Sequence, residues 1–139
     1  MFKKKVPIKF GFKINDQIVS KMEVTSGDPE KRIIISFKNK ERFALTSIVF
    51  DIKFHRPLSL SGTDHALTIM KNRTSTESSD KYYKITYFDI PIYPDEPRDI
   101  PTELNTKGKV PGDYKISVSV VSTNDKYKKK KKDLILSIK

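Results

Sequence analysis

A two-residue alternation from Thr46 to Phe54 constrains the fold of this 139-residue chain more than any other feature. Ile48, Phe50 and Ile52 fall on the same side of the pattern, and mostly polar residues separate them. Because successive side chains of a β-strand point to opposite faces, the pattern predicts a strand with one buried face. No segment shows the 3.6-residue periodicity of a convincing amphipathic helix.

Weaker versions of the same alternation predict further strands along the chain. Short breaks separate them, such as the expected turn at Asn15-Asp16 and the connection at Asn39–Arg42. A change of parity after Asp89 indicates a β-bulge or a crossing between sheets. The predicted strands cover Val6–Ile14, Ile18–Val24, Ile33–Phe37, Thr46–Phe54, Leu67–Ile69, Tyr83–Tyr87, Tyr114–Val120 and Leu134–Ile138.

Two segments are expected to lie outside regular pairing. Lys71–Asp80 is polar and predicts a loop. The connector that follows the Tyr83–Tyr87 strand contains Pro91, Pro94, Pro97 and Pro101, which lack the backbone N–H that a ladder needs. We therefore expect an irregular crossover in this part of the chain.

The composition favours the same fold class. Sixteen Ile and eight Val stand against seven Leu and two Ala, and β-branched side chains suit a pleated sheet. The length fits one domain, and neither an internal repeat nor a Gly/Ser linker divides it. The sequence therefore predicts a single all-β domain over residues 1–139, an antiparallel β-sandwich of about seven or eight strands with immunoglobulin-like architecture.

The register of the last hairpin follows from which residues must face each other. A two-residue loop at Asn124-Asp125 would set inward-facing Val120 opposite Lys129, and this excludes it. A longer loop over Thr123–Lys131 aligns apolar residues throughout, and we expect this register. Its pairs are Val120 with Leu134, Val118 with Leu136 and Ile116 with Ile138.

An intermediate register keeps the same parity. It sets Lys130 opposite Val120 and Lys132 opposite Val118, so it requires both lysines to overhang the core and extend their ammonium groups to water. The lysine-rich projecting loop is the preferred hypothesis.

The segment Pro111-Gly112-Asp113-Tyr114, the strand after it and the hairpin into Leu134–Ile138 resemble the C-terminal half of immunoglobulin-like accessory modules, such as CARDB-like domains of archaeal and bacterial surface proteins. Ile33–Asn39 is similar to the second strand of these modules. The resemblance covers about half of the chain, and the sequence departs from the family in Arg56–Asp80 and in the lysine tract Lys126–Lys132. It implies a sandwich fold with a role in adhesion, spacing or protein contact, and it supplies no site residues.

The formal charge of +11 is concentrated in two short tracts. Nine lysines lie in Lys3–Lys5 and Lys126–Lys132, and without them 19 basic residues face 17 acidic ones. A basic projecting loop could contact phosphates, an acidic partner or anionic lipid head groups, or could simply be solvated and block edge-to-edge association of sheets. The candidate anion- or partner-binding residues are Lys126, Tyr127, Lys128, Lys129, Lys130, Lys131 and Lys132.

Groups suited to catalysis are few. The absence of cysteine excludes thiol chemistry and zinc–thiolate sites. The two histidines are His55 and His65; the latter follows Asp64 in a serine-containing segment whose spacing matches no nucleophile elbow. Oxygen ligands for Ca²⁺ could come from Asp95, Glu96 and Asp99, although Arg98 lies among them and no EF-hand spacing is present. We therefore expect no catalytic residues and no cofactor.

These observations favour a non-catalytic protein-interaction or structural module, from a cell surface or a larger assembly. The alternative is a binder of anionic polymers or membrane surfaces that acts through the Lys126–Lys132 loop. Another protein is the expected partner, and no small-molecule substrate is expected. No apolar run reaches the ~20 residues of a membrane span, so we expect a soluble body. The sequence leaves its compartment open, and an extracellular domain and a domain of an anchored protein both fit.

Overall fold

The computed structural model describes residues 4–25, 31–58, 74–104, 110–123 and 126–139, and every regular element in these ranges is a β-strand. The all-β prediction is therefore confirmed. The strands are β1 (Lys4–Lys5), β2 (Ile8–Ile14), β3 (Gln17–Val19), β4 (Lys21–Val24), β5 (Lys31–Asn39), β6 (Leu45–His55), β7 (Thr74–Ser78), β8 (Tyr82–Ile92), β9 (Arg98–Leu104), β10 (Gly112–Ser122), β11 (Tyr127–Lys128) and β12 (Lys130–Ile138).

Two large sheets form the sandwich. A six-stranded sheet has the order β4-β12-β10-β6-β8-β7, and a four-stranded sheet has the order β3-β2-β5-β9. Neighbouring strands are antiparallel except for β12 with β4. A third, two-stranded sheet joins β1 to β11 in parallel.

The inner faces of the large sheets enclose one apolar core. Four aromatic rings stack in series across it: Phe10 and Phe37 from the four-stranded sheet, then Phe50 and Tyr87 from the six-stranded sheet. Within this stack, Phe37 and Phe50 form the pair that crosses between the sheets, with ring centroids 4.2 Å apart. All four rings are almost fully excluded from water, so this stack contributes both buried area and ring–ring attraction.

Local backbone chemistry explains two of the predicted breaks. The turn at Asn15-Asp16 joins β2 to β3 as a two-residue hairpin, and both residues have positive φ angles of 49° and 64°, which Asn and Asp tolerate. The bulge predicted at Asp89 is also confirmed, because Asp89 has a φ of 50° and the pairing of β6 with β8 shifts there. A second irregularity lies in β6, where Ser47 has a φ of 58° and the pairing shifts between Leu45 and Ile48, so Leu45 is buried in place of the expected Thr46.

Two predictions about irregular segments were wrong. Thr74–Ser78, part of the expected polar loop, forms β7 and pairs with β8 at the edge of the larger sheet. Pro91 and Pro101, expected to prevent pairing, lie inside β8 and β9. Both are tolerated because β9 is an edge strand and β7 covers β8 only as far as Tyr87, so neither proline needs to donate to a second neighbour. The strand expected at Leu67–Ile69 lies outside the described residues.

The preferred register of the last hairpin was also wrong. Lys130 faces Val120 and Lys132 faces Val118, so the structure has the intermediate register, and the expected loop contains strand β11 and the start of β12. The lysines are tolerated because β4 covers β12 only from Ile135 onward. Residues 130–134 are therefore a free sheet edge, where inward-pointing lysine reaches water and discourages pairing with another chain.

Lys130 closes this open side of the sandwich. Its Nζ donates a 2.8 Å hydrogen bond to the carbonyl of Ile8 and lies 5.3 Å from the centroid of the Phe10 ring. Burial is the main cause that lowers the pKa of Lys130, and nearby lysines lower it further. The N–H of Val6 donates to the carbonyl of Lys128, so the N-terminal segment is tied across the same opening.

The aromatic stack makes a direct stability prediction. Phe50→Ala removes a ring that contacts both Phe37 and Tyr87, and we expect it to lower the free energy of unfolding by about 3–5 kcal/mol. Phe43→Ala is the control, because Phe43 is 54% exposed and its loss is expected to change stability by less than about 0.5 kcal/mol. Urea unfolding followed by circular dichroism measures both, and similar losses for the two variants would contradict the assigned core.

Candidate docking surface

The outer face of the six-stranded sheet collects polar and charged side chains from five adjacent strands. One cross-strand row runs from Asp133 through Ser117, Lys53 and Lys84 to Glu77. The next row runs from Lys131 through Ser119 and Asp51 to Thr86 and Ser75. Because strand pairing fixes these rows, side chains that are distant in sequence form one surface.

A shallow depression of about 370 Å³ lies at the centre of this outer face. Five lysines line it, against two carboxylates, Asp51 and Asp133. We call these lysines the lysine face: Lys53, Lys84, Lys115, Lys129 and Lys131.

Hydrogen bonds within the sheet already engage the two carboxylates. Asp51 accepts from the hydroxyl of Thr86 at 2.5 Å and from that of Ser119 at 3.3 Å. Asp133 accepts from Ser117 at 2.8 Å and lies 3.9 Å from the ammonium of Lys115. The carboxylates thus order the face internally and offset only part of its positive charge.

The lysines differ in how they are held. Lys84 is paired with Glu77 at 3.1 Å, which raises the pKa of Lys84 and lowers that of Glu77. Lys53 lies over the ring of Tyr82, 4.4 Å from its centroid. Among the described residues, Lys129 and Lys131 form no ion pair and are exposed. The face therefore has an ordered side at β8 and a free cationic side at β12.

His55, Ser117 and Asp133 form a hydrogen-bonded chain at one end of the depression. Ser117 Oγ lies 2.9 Å from His55 Nε2 and donates its proton to Asp133. A serine hydroxyl has one proton, so Nε2 of His55 must carry the hydrogen and donate to Ser117. In a Ser-His-Asp triad the histidine lies between the other two residues and accepts the serine proton. This arrangement has the opposite polarity and orders the surface instead of activating a nucleophile.

The structure distributes the predicted binding tract over different surroundings. Lys129 and Lys131 join the lysine face, whereas Lys130 is half-buried and Tyr127 packs against the core. Lys126, Lys128 and Lys132 are exposed. The tract is therefore not one projecting loop but a strand edge whose side chains alternate between two surfaces.

The calcium hypothesis finds no support in the described residues. Asp99 lies in β9, where Lys13 donates to its Oδ2 and Ser36 to its Oδ1, each at 2.7 Å. Asp95 and Glu96 belong to the turn between β8 and β9. No three carboxylate or histidine side chains in the described ranges are grouped to hold a metal ion.

Several residues of this surface were missed at the level of sequence. Lys53 and Asp51 are among the polar residues that alternate with Ile48, Phe50 and Ile52, but nothing in the sequence joined them to Lys115 or to the lysine tract. The signal was the intermediate register of the last hairpin, which sets Lys131 opposite Ser119 and Asp133 opposite Ser117. His65 and Asp64, the other groups considered for catalysis, lie outside the described residues together with their serine-containing segment.

Comparison with known proteins identifies the fold. No protein-family model matches the chain, and no curated protein matches it by sequence. Among solved structures it is similar to a chain of the CaDoc0917(R16D)–CaCohA2 complex, with 11% identity, a TM-score of 0.60, and coverage of 95% of this chain and 99% of the other.

Two further solved structures have the same architecture. One is the seventh ScaB type I cohesin from Pseudobacteroides cellulosolvens, with 13% identity, a TM-score of 0.56, and coverage of 95% and 92%. The other is the collagen-binding subdomain ACE19 of the Enterococcus faecalis surface protein ACE, with 6% identity, a TM-score of 0.54, and coverage of 96% for both chains. The predicted β-sandwich class is confirmed. The described ranges contain no helix with the length and hydropathy needed to cross a bilayer.

His55 makes the depression sensitive to acid. Burial is the largest cause that lowers its pKa, and the charges of Lys115 and Lys53 lower it further. Because the folded protein binds this proton less readily than the unfolded chain, stability is expected to fall as the pH drops below about 6.5. His55→Gln keeps a donor to Ser117, so its stability should fall less steeply between pH 7 and 5 in urea unfolding. An NMR titration midpoint of His55 at or above 6.5 would contradict this assignment.

Proposed function

We propose that this protein is a non-catalytic protein-interaction module whose lysine face binds an acidic surface on a partner protein. The observation that carries the proposal is the convergence of five lysines from adjacent strands on one sheet face, with only two carboxylates among them. A rigid sheet presents these charges at set spacings, which reduces the entropy lost when a partner binds.

Charge complementarity suits such a surface. Positive groups facing a negative partner patch increase the association rate and select against partners of the wrong sign. Lys129 and Lys131, at the free cationic side, are available for direct ion pairs. Lys53 and Lys84 are held by their neighbours, so they contribute positive electrostatic potential and no direct ion pairs. We expect binding that weakens as the ionic strength rises.

The fold supports a role in interaction. Two of the similar structures are named as a cohesin and as a collagen-binding subdomain of a surface protein, and another comes from a complex. The accessory-module resemblance of the C-terminal half is consistent with the same class of function. By analogy we propose a place at a cell surface or in a larger extracellular assembly.

The chemistry of the depression agrees with a non-catalytic role. Its single histidine donates to a serine that is already bonded to a carboxylate, so no general base is directed at a nucleophile. The cavity is open and polar, unlike the enclosed and mostly apolar pockets that bind small substrates.

Lysine footprinting tests the docking surface. The protein is incubated with an extract of its source organism, cross-linked complexes are isolated, and amine acetylation is compared with that of the free protein. We expect Lys115, Lys129 and Lys131 to be protected in the complex. Lys38, on the outer face of the four-stranded sheet, and Lys81, outside the depression, are both exposed and should stay reactive.

Charge-reversal variants supply the matched control. Lys115→Glu with Lys131→Glu is expected to abolish capture of the partner, whereas Lys38→Glu with Lys81→Glu makes the same change in net charge and should retain it. If both pairs lose the partner equally, or if protection falls on Lys38 and Lys81, the lysine face is not the docking surface.

A further inference from the structure

A second cationic surface lies at one end of the four-stranded sheet. A groove of about 600 Å³ is lined there by Lys9 of β2, Lys38 at the end of β5, and Lys40 and Arg42 from the connection that follows. Lys9 and Lys38 are cross-strand partners, and like charges directly opposite each other destabilise a sheet. In the described part of the chain neither has an ion-pair partner. A bound anion would relieve the repulsion between Lys9 and Lys38.

The backbone of the groove is held by a buried side chain. Asn39 is 3% exposed, and its Nδ2 donates to the carbonyls of Phe43 at 2.8 Å and Ile92 at 2.9 Å. Its Oδ1 accepts from the N–H of Glu41 at 2.8 Å. These three bonds anchor the β5–β6 connection at both ends, so Lys40 and Arg42 project from an ordered backbone.

The groove continues towards the lysine tract. The N–H of Lys40 donates to the carbonyl of Pro7 at 2.9 Å, which places Lys40 beside the chain between Lys5 and Lys9. Lys5 in turn pairs with Lys128 across the two-stranded sheet. The two basic tracts of the sequence therefore meet, and the positive charges of Lys5, Lys9, Lys40 and Lys132 all lower the pKa of Lys130.

Few carboxylates compensate this surface. Glu41 and Asp95 line the groove, and within the described residues neither forms a salt bridge with its four cations. These cations succeed one another from strand to strand: Lys9 lies opposite Lys38, Lys40 contacts Pro7, and Lys5 lies opposite Lys128, so they are spread along the surface and do not enclose a single point. Exposed lysines on a line suit many weak phosphate-type contacts better than one tightly held small anion.

We infer that this cationic track, from the Arg42 groove past Lys40 and Lys9 to Lys5 and Lys128, binds a linear polymer that carries regularly spaced phosphate or sulfate groups. The inference is independent of the lysine face, which lies on the other sheet. Recognition through lysine point charges would be strongly salt-dependent and largely insensitive to the sequence of the polymer.

The test uses the full chain with long-chain inorganic polyphosphate and with heparin, which supply the phosphate and sulfate chemistries. Binding is measured by calorimetry at several salt concentrations. Lys9→Ser with Lys38→Ser is expected to weaken binding to the preferred polymer at least about tenfold and to reduce the slope of log K against log salt by roughly 1 to 1.5. Lys21→Ser with Lys81→Ser removes the same charge elsewhere and should weaken it less than threefold.

Two further measurements distinguish loss of the groove from loss of folding and from binding through the lysine face. Thermal unfolding of Lys9→Ser with Lys38→Ser should show equal or higher stability, because a like-charge pair is removed. Lys53→Ser with Lys115→Ser, on the lysine face, should keep polymer binding within about threefold even where it loses a protein partner. Equal losses for the groove and control variants would overturn the inference. So would binding to phosphatidylserine-containing vesicles without binding to either polymer.

Discussion

The pairing of β10 with β12 determines which surfaces this protein has. Inside the sandwich, three cross-strand rows run over β12, β10, β6 and β8, and two of them end in lysine at the free edge of β12. Lys130 can occupy such a position because its ammonium donates to the carbonyl of Ile8 and lies 5.3 Å from the centroid of the Phe10 ring. The same register sends Lys129 and Lys131 to the outer face. The last hairpin thus supplies part of the core, a cover for the open side and three of the five lysines of the docking surface.

The aromatic stack and the hairpin depend on each other. Phe10 and Phe50 belong to the same series of rings, and Val120, the partner of Lys130 in β12, also pairs with Phe50 in β6. A shift of β12 would therefore move a lysine away from Phe10 and leave the end of the stack open to water. Burial of that end adds to stability through area removed from solvent, which explains why a charged residue is retained at the margin of the core.

Periodicity predicted most of the core because it is a local property. Ile48, Phe50 and Ile52 are buried as the alternation requires, and Ile116, Val118 and Val120 likewise. Predictions failed where the outcome depends on neighbours in space. Pro101 is compatible with a strand only because β9 lies at an edge, and Thr74–Ser78 is a strand only because β8 offers a partner. Phe88 follows the inward-facing Tyr87 and is 41% exposed, and the bulge at Asp89 then returns Ile90 to the inner face.

The candidate surfaces were harder to predict than the core. The lysine tract was recognised, but the register that pairs apolar residues with each other left it as a loop. Pairing by residue type cannot account for a lysine that faces the core and reaches water past the uncovered edge of β12. Lys9 and Lys38 drew no attention in sequence, since each is an ordinary outward residue of its own strand. Only the pairing of β2 with β5 shows that they are opposite each other.

The register of β10 and β12 can be measured directly, because the chain has no cysteine of its own. Ser119 and Lys131 are cross-strand partners in the structure, whereas the alternative register would pair Ser119 with Ile135. The Cα atoms of antiparallel partners are close enough for a disulfide, and residues four positions further along the strand are not. We expect Ser119→Cys with Lys131→Cys to form an intrachain disulfide readily under mild oxidation, detected by mass spectrometry. Ready formation by Ser119→Cys with Ile135→Cys instead would contradict this account.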